Sequence, residues 1–345
     1  MLKHQNTTFS GHELSALQAH EVVDLLKRRE VAPQDLLKIA FERIAQVEPA
    51  VNAMPTTCPE RAAGMAANLP DGARDHPGWL AGLPVGIKDL TPVAGVRTTW
   101  GTRALADFVP EASDPLVLRL EDRGAIVVGK TNTPEFGAGG NTFNDVFGKT
   151  RNPYDTRLNA AGSSGGAAVS LATGEVWLSH GSDHGGSLRT PAAYNGIVGL
   201  RPSPGIAASD SESGFIIEGQ QGPMARSVRD CALFLDAMAG WQPRLPASFP
   251  PNEQPYQQAV IEADGKVRIA FAPDLNGFTP VEPEIDRHLR AALLAVEQNG
   301  GKVDEACPDL PALERTYHSL RGLLWAAAFR RAPDSLTRHF KPTLA

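Results

Sequence analysis

Cysteine is scarce: the 345 residues hold three, Cys58, Cys231 and Cys307, far apart and with no Cys-x-x-Cys pair. An odd number so spaced excludes a disulfide framework and a thiolate zinc site, and the three read as free thiols. Long apolar runs are missing too. The opening MLKHQNTTFSGHEL has no apolar core of a secretory leader, and the most apolar late run, Leu323–Phe329, is far too short to span a bilayer. A cytoplasmic location, with no membrane partner, is the expectation. Nor is there a strong excess of one charge. A formal net charge of −6 leaves no basic footprint for a nucleic acid, so none is expected as a partner. No cofactor and no metal are expected either. With 42% hydrophobic and 21% charged residues, this is an ordinary globular composition, long enough for one large α/β unit or two domains.

Apolar periodicity organises the chain. Leu14, Leu17, Val22, Leu25 and Leu26 predict a helix over roughly 12–29. Leu36, Leu37, Ala40, Phe41, Ile44 and Val47, between Pro33 and Glu48-Pro49, predict another over 34–47. From about residue 83 short apolar runs bounded by turns take over: LPVGIK at 83–88 and AIVVG at 125–129, with a helix from Pro115 to Arg123 between them. Residues 241–265, rich in proline and polar groups, read as a surface connection. A strand over 267–271, a helix over 283–298 and a strand at 302–304 make one more βα unit. The expected class is α/β, a large central mixed sheet with helices on both faces. The parts are a helical region over 1–80, a core over 81–240, the connection over 241–265 and a βα portion over 266–345, together one domain.

One motif misleads. Gly124–Thr131 spells the phosphate-loop pattern GxxxxGK[ST], but there the pattern must be a loop that opens a helix. Here AIVV is itself the strand, and Asn132-Thr133-Pro134 would disturb a helix begun at Lys130. The cluster Gly137–Gly140 lacks dinucleotide-binding spacing and reads as a loop near a site.

The stretch GSDHGGS at 181–187 holds Asp183, His184 and Ser187 within five positions. A serine-hydrolase triad converges from separated segments, so adjacency argues against one here. The glycines before Ser187 instead let the backbone turn and aim several N–H groups at one developing charge. A second glycine-framed segment, GSSGG, carries Ser163 at 162–166. Lys88 ends an apolar strand, where burial would lower its pKa and make it a competent base. Singly, each has a plainer reading: Ser163 or Ser164 capping a helix, Lys88 solvated beside Asp89, Ser187 starting a helix.

Together these segments resemble the amidase signature hydrolases. GIKD around Lys88, TNTPEF at 131–136, GSSGG at 162–166 and GSDHGGSLRTPAAYNGIVGLRPS at 181–203 follow that family's order and spacing, and the resemblance runs to about residue 305. It implies the amidase signature fold and a Ser-cis-Ser-Lys triad: Ser187 as nucleophile, Ser163 as bridge behind a cis Gly162–Ser163 peptide, and Lys88 as the final proton acceptor. It also implies an oxyanion hole from the N–H groups of His184, Gly185, Gly186 and Ser187, with Gly137 lining the acyl pocket. Asp183 and Arg189 are expected to brace the loop. Asp114 and Arg151 have similar structural readings.

Two features depart from the family. Ala161 stands where glycine is frequent, and would be strained if its φ is positive. The family also usually continues with a further segment that adds a strand and part of the pocket. A shortened member with an unpaired sheet edge, prone to pair with a second copy, is the corresponding expectation. The expected function is hydrolysis of a small or medium carboxamide, a linear-amide amidohydrolase reaction. The alternatives are the glutaminase subunit of a tRNA-dependent amidotransferase complex, and a silent binding or scaffold protein that retains the signature.

Overall fold

The computed structural model describes residues 11–207, 217–342 and 344. The first ten residues of the N-terminal stretch that lacks a leader's apolar core, and Thr343 and Ala345 at the other end, lie outside them. The chain divides into two compact units, Met1–Val260 with Pro333–Ala345, and Ile261–Ala332. Among the described residues no helix is long and apolar enough to cross a membrane.

In the larger unit the chain begins with helices α1 (Glu13–Ala16), α2 (Ala19–Lys27) and α3 (Pro33–Val51). Strand β1 (Thr56–Thr57), helix α4 (Pro59–Ala67), strand β2 (Leu83–Lys88), helix α5 (Pro115–Asp122) and strand β3 (Ala125–Thr131) follow. The short hairpin β4 (Phe143–Asn144) and β5 (Gly148–Lys149) leads into α6 (Gly165–Ala172), β6 (Leu178–Asp183) and α7 (Arg189–Asn195). Strands β7 (Val198–Gly199) and β8 (Gln220–Ala225) and helices α8 (Val228–Met238) and α9 (Tyr256–Glu262) complete the run.

Six strands form one sheet in the order β1-β3-β2-β6-β8-β7. Strands β3, β2 and β6 are parallel, while β1, β8 and β7 pair antiparallel, so the sheet is mixed, as expected. Its two faces can be read from strand alternation. Ala125 and Val127 pack with Leu83, Val85, Ile87 and the apolar sides of α2, α5 and α8; Ile126 and Val128 pack on the other face with α4 and α6.

The register between β2 and β3 slips by one residue at Val85/Gly86: Val85 faces Val127, but Gly86 faces Gly129 and Lys88 faces Thr131. An extra residue in one strand reverses which face its later side chains take. Lys130 therefore lies opposite Ile87, and Lys88 opposite Thr131, so two wholly buried lysines stand near the ends of adjacent strands on opposite faces of the sheet.

Three local expectations are corrected. The helix over 12–29 is two helices, broken at Leu17-Gln18, because the Asp230 carboxylate of α8 accepts from the N–H groups of Ala19 and His20, both at 2.9 Å. That carboxylate satisfies the first donors of α2 and fixes where it starts. The helix over 34–47 runs from Pro33 through Pro49 to Val51, whose side chain is buried, and left-handed Asn52 ends it. The connection over 241–265 holds α9, whose first N–H groups, Tyr256 and Gln257, donate to Asp236 at 2.7 and 2.9 Å.

In the smaller unit β9 (Arg268–Phe271) and β10 (Lys302–Glu305) form a parallel pair joined through α10 (Pro283–Gln298), and α11 (Leu313–Phe329) follows. The expected βα unit is present as a two-stranded sheet of its own. In the larger unit α12 (Asp334–Thr337) begins the chain's last stretch.

Candidate active site

Lys88 emerges from the end of β2 on the face covered by α6. Its Nζ lies 2.7 Å from Ser163 Oγ, 2.8 Å from Ser164 Oγ and 3.1 Å from Ser182 Oγ, with Ser182 O at 3.4 Å. The side chain is wholly buried. Burial disfavours the ammonium form and lowers its pKa to about 7, against a smaller upward pull from Asp183. Its hydrogen-bond partners are hydroxyls and one carbonyl.

Lys130 is the control within the same sheet. Its Nζ is 3.3 Å from Asp89 Oδ1 and donates to Thr91 O and Thr98 Oγ1, both at 2.8 Å. Burial lowers its pKa to about 8, and Asp89 pulls the other way. Asp89 also accepts from Thr99 Oγ1 at 2.6 Å. A lysine whose three acceptors include a carboxylate is a structural ion pair; one among hydroxyls is placed to exchange a proton with them. Lys130 and Thr131 lie inside β3, so the phosphate-loop lettering has no loop behind it.

Ser163 and Ser164 precede α6, and the Gly162–Ser163 peptide is cis. Neither hydroxyl caps the helix: Ser164 is the N-cap residue without a side-chain cap bond. Instead Ser164 Oγ donates to Ser182 O at 3.2 Å and accepts from Ser182 N at 3.3 Å, tying the helix start to β6. Gly181 in β6 allows this approach, because a Cβ there would stand 2.8 Å from Ser164 Oγ. Ala161 has φ +56°, held by Thr142, whose N–H and hydroxyl both donate to Ala161 O at 3.0 and 2.8 Å. That left-handed backbone disfavours a Cβ by about 1 kcal/mol. Ala161→Gly is therefore expected to raise the thermal unfolding midpoint by a few degrees, read by calorimetry.

The loop after β6 is built around Asp183. Its carboxylate accepts from Gly186 N at 2.8 Å, Leu188 N at 3.1 Å and the Arg189 guanidinium at 3.0 and 3.1 Å, with Arg201 at 3.3 Å. Burial pushes this carboxyl up, but the Arg189 and backbone donors overcome it and hold it at about 2. Asp183 thus shapes the turn in which Gly186 takes φ +115°. The bracing role expected of Asp183 and Arg189 matches this geometry.

Ser187 joins the cluster through its backbone, its carbonyl accepting from Ser164 N at 3.2 Å. Among the described residues its hydroxyl makes no hydrogen bond to Ser163. Ser187 and His184 are half-buried and Gly185 is exposed, so this edge of the cluster opens to solvent. The Gly186 N–H, one of four expected oxyanion donors, is engaged by Asp183. Gly137, in a single turn over Glu135–Gly137, sits beside the cluster: a Cβ there would lie 3.5 Å from Ser163 Oγ. Ser164 and Ser182 are the site residues that sequence reasoning missed. The doublet Ser163-Ser164 was visible, but its convergence with Ser182 on one ammonium is a property of the fold. Among the described residues no three His, Cys, Asp or Glu side chains group as metal ligands would.

Comparison with known proteins shows the family. The family model described as Amidase matches residues 35–339. Two curated relatives are each named as the A-type subunit of glutamyl-tRNA(Gln) amidotransferase. That of Carboxydothermus hydrogenoformans is 41% identical over 330 residues, covering 95% of this chain and 67% of the relative. That of Moorella thermoacetica is 37% identical over 297 residues, covering 85% and 61%. The chain thus spans about three fifths to two thirds of the length of these relatives. Among solved structures, a 6-aminohexanoate cyclic dimer hydrolase complexed with substrate superposes with a TM-score of 0.85 at 27% identity, over 96% of this chain and 70% of that one. A bacterial aryl acylamidase of the amidase signature family gives 0.84 at 29%, over 95% and 71%.

Proposed function

The chain belongs to the amidase family, and on that footing we propose that it breaks a carboxamide C–N bond through an acyl-enzyme on Ser187. The observation that carries this reading is the 2.7 Å contact between Ser163 Oγ and a wholly buried Lys88 whose hydrogen-bond partners include no carboxylate. With a pKa near 7, Lys88 is largely neutral just above neutrality and has a lone pair for the Ser163 proton.

The steps follow from that lone pair. Lys88 takes the proton of Ser163 as Ser163 takes that of Ser187, and the Ser187 oxygen attacks the amide carbon. The carbonyl electrons move onto oxygen, where N–H groups of the 184–187 loop stabilise them. Because Asp183 engages the Gly186 N–H, that task falls to the loop's other donors. On collapse the C–N bond breaks, and Ser163 delivers its proton to the nitrogen while recovering one from Lys88. A water, deprotonated by the same relay, then attacks the ester and frees the acid. Gly137, beside Ser163, borders the acyl group, and His184 contacts substrate at most. Every proton in this scheme is carried by the chain's own residues and water.

For the substrate, the relatives at 37 and 41% identity favour the glutaminase subunit of an amidotransferase over the free-standing hydrolase of small linear amides. The hydrolase reading keeps the support of the structural likenesses to amide hydrolases. Ammonia release from L-glutamine and 4-nitroaniline release from 4-nitroacetanilide decide between them. The glutaminase reading expects the first reaction, increased by added partner subunits; turnover of the anilide alone, indifferent to any partner, would contradict it. A protein that releases neither product and resists fluorophosphonate labelling would fit the silent scaffold.

A further inference from the structure

The chain's last stretch returns to the site. Lys341 N donates to Glu135 Oε2 at 2.9 Å, and Lys341 Nζ donates to the carbonyl of Ala138. The Phe340 ring meets that of Phe136 edge-on, with centroids 5.5 Å apart and planes at 72°. Two consecutive residues thus hold positions 135, 136 and 138 of the turn that places Gly137 against the Ser163 hydroxyl.

That turn needs holding. Phe136 has φ +50°, a left-handed conformation that a side chain disfavours, and Gly137 follows at φ +71°. The Glu135 carboxylate is almost fully buried, and a buried acceptor left without its donor costs free energy. The contacts supplied by 340–341 offset both penalties, though more than 200 residues of chain separate the two segments.

We infer that Phe340 and Lys341 are positioning residues that set the acyl-side wall of the pocket by fixing the Glu135–Ala138 turn. The inference rests on the proposed Ser187 chemistry, with Gly137 bordering the acyl group. It separates two properties of the site. Lys88 hydrogen-bonds residues 163, 164 and 182 and none of the Glu135–Ala138 turn, so loosening the turn changes how an acyl chain is held and leaves the bonds of the lysine in place.

Fluorophosphonates of two sizes, methyl and octyl, test this by phosphonylation of Ser187 across pH. In Phe340→Ala and Lys341→Met the half-saturating concentration of the octyl reagent should rise about tenfold. The maximal labelling rate and its acid limb should stay as in the unsubstituted protein, the methyl reagent should be nearly unaffected, and Phe340→Tyr should restore octyl binding. Unchanged octyl binding in both variants would overturn the inference. So would equal losses for both reagents, a moved acid limb, or a Phe340→Tyr variant as impaired as Phe340→Ala. An unsubstituted protein that does not label at Ser187 overturns the underlying chemistry, and the inference with it.

Discussion

Ser187→Ala is expected to abolish hydrolysis, by a factor on the order of 10^4 to 10^6, and to eliminate fluorophosphonate labelling altogether. The substitution removes one oxygen and little else. What Ser187 gives the fold is its carbonyl, which holds Ser164 N, and alanine keeps it. The turn around it is held by Asp183 through Gly186 N, Leu188 N and Arg189, and none of these bonds involves the Ser187 hydroxyl. The unfolding midpoint should therefore move by no more than a few degrees while activity disappears. Steady-state rates, labelling and calorimetry on one preparation check this. Residual labelling at another position, with activity retained, would place the nucleophile elsewhere.

Lys88→Met is expected to lower the rate at least about 10^3-fold and to leave the protein as stable as before, or more stable, below neutrality. The sign follows from the lowered pKa. Between about 7 and the ordinary lysine value of 10.5, the unfolded chain holds a proton at residue 88 that the folded chain has released, so stability rises with pH across that window. Below about 7 both states are protonated, and the folded state carries the whole penalty of a buried ammonium. Methionine has similar length and no charge, so it removes that penalty where it is largest. Denaturation at pH 6 and pH 10 should show the variant's advantage at the lower pH. A catalytic loss accompanied by collapse of stability at both values would mean that Lys88 is structural, as Lys130 is.

Much of this arrangement could be read in the residues, and what could not has identifiable physical causes. Strands β2 and β3 were legible because short apolar runs between turns leave a chain of this composition few alternatives. The residues of the proposed triad were legible because glycine-framed serines and a strand-end lysine keep a recognisable order. The break at Leu17-Gln18 and the helix at Tyr256 were not, since each is capped by an aspartate from α8, distant in sequence. The register slip at Val85/Gly86 was equally invisible: it depends on the pairing of two strands, yet it decides that Lys130 faces away from the side on which Lys88 lies. Ser182 escaped notice because its part in the site exists only where β6 passes the start of α6.

The central claim is that an uncharged Lys88 draws the proton of Ser187 through Ser163. The measurement that reaches it most directly is the rate of Ser187 phosphonylation by a small fluorophosphonate between pH 5 and 9, in the unsubstituted protein and in Lys88→Met. The account predicts a single acid limb centred near pH 7, with the rate at pH 5 roughly a hundredfold below the plateau, and no such limb in the variant. A flat profile, or a limb that survives when Lys88 is gone, would contradict it.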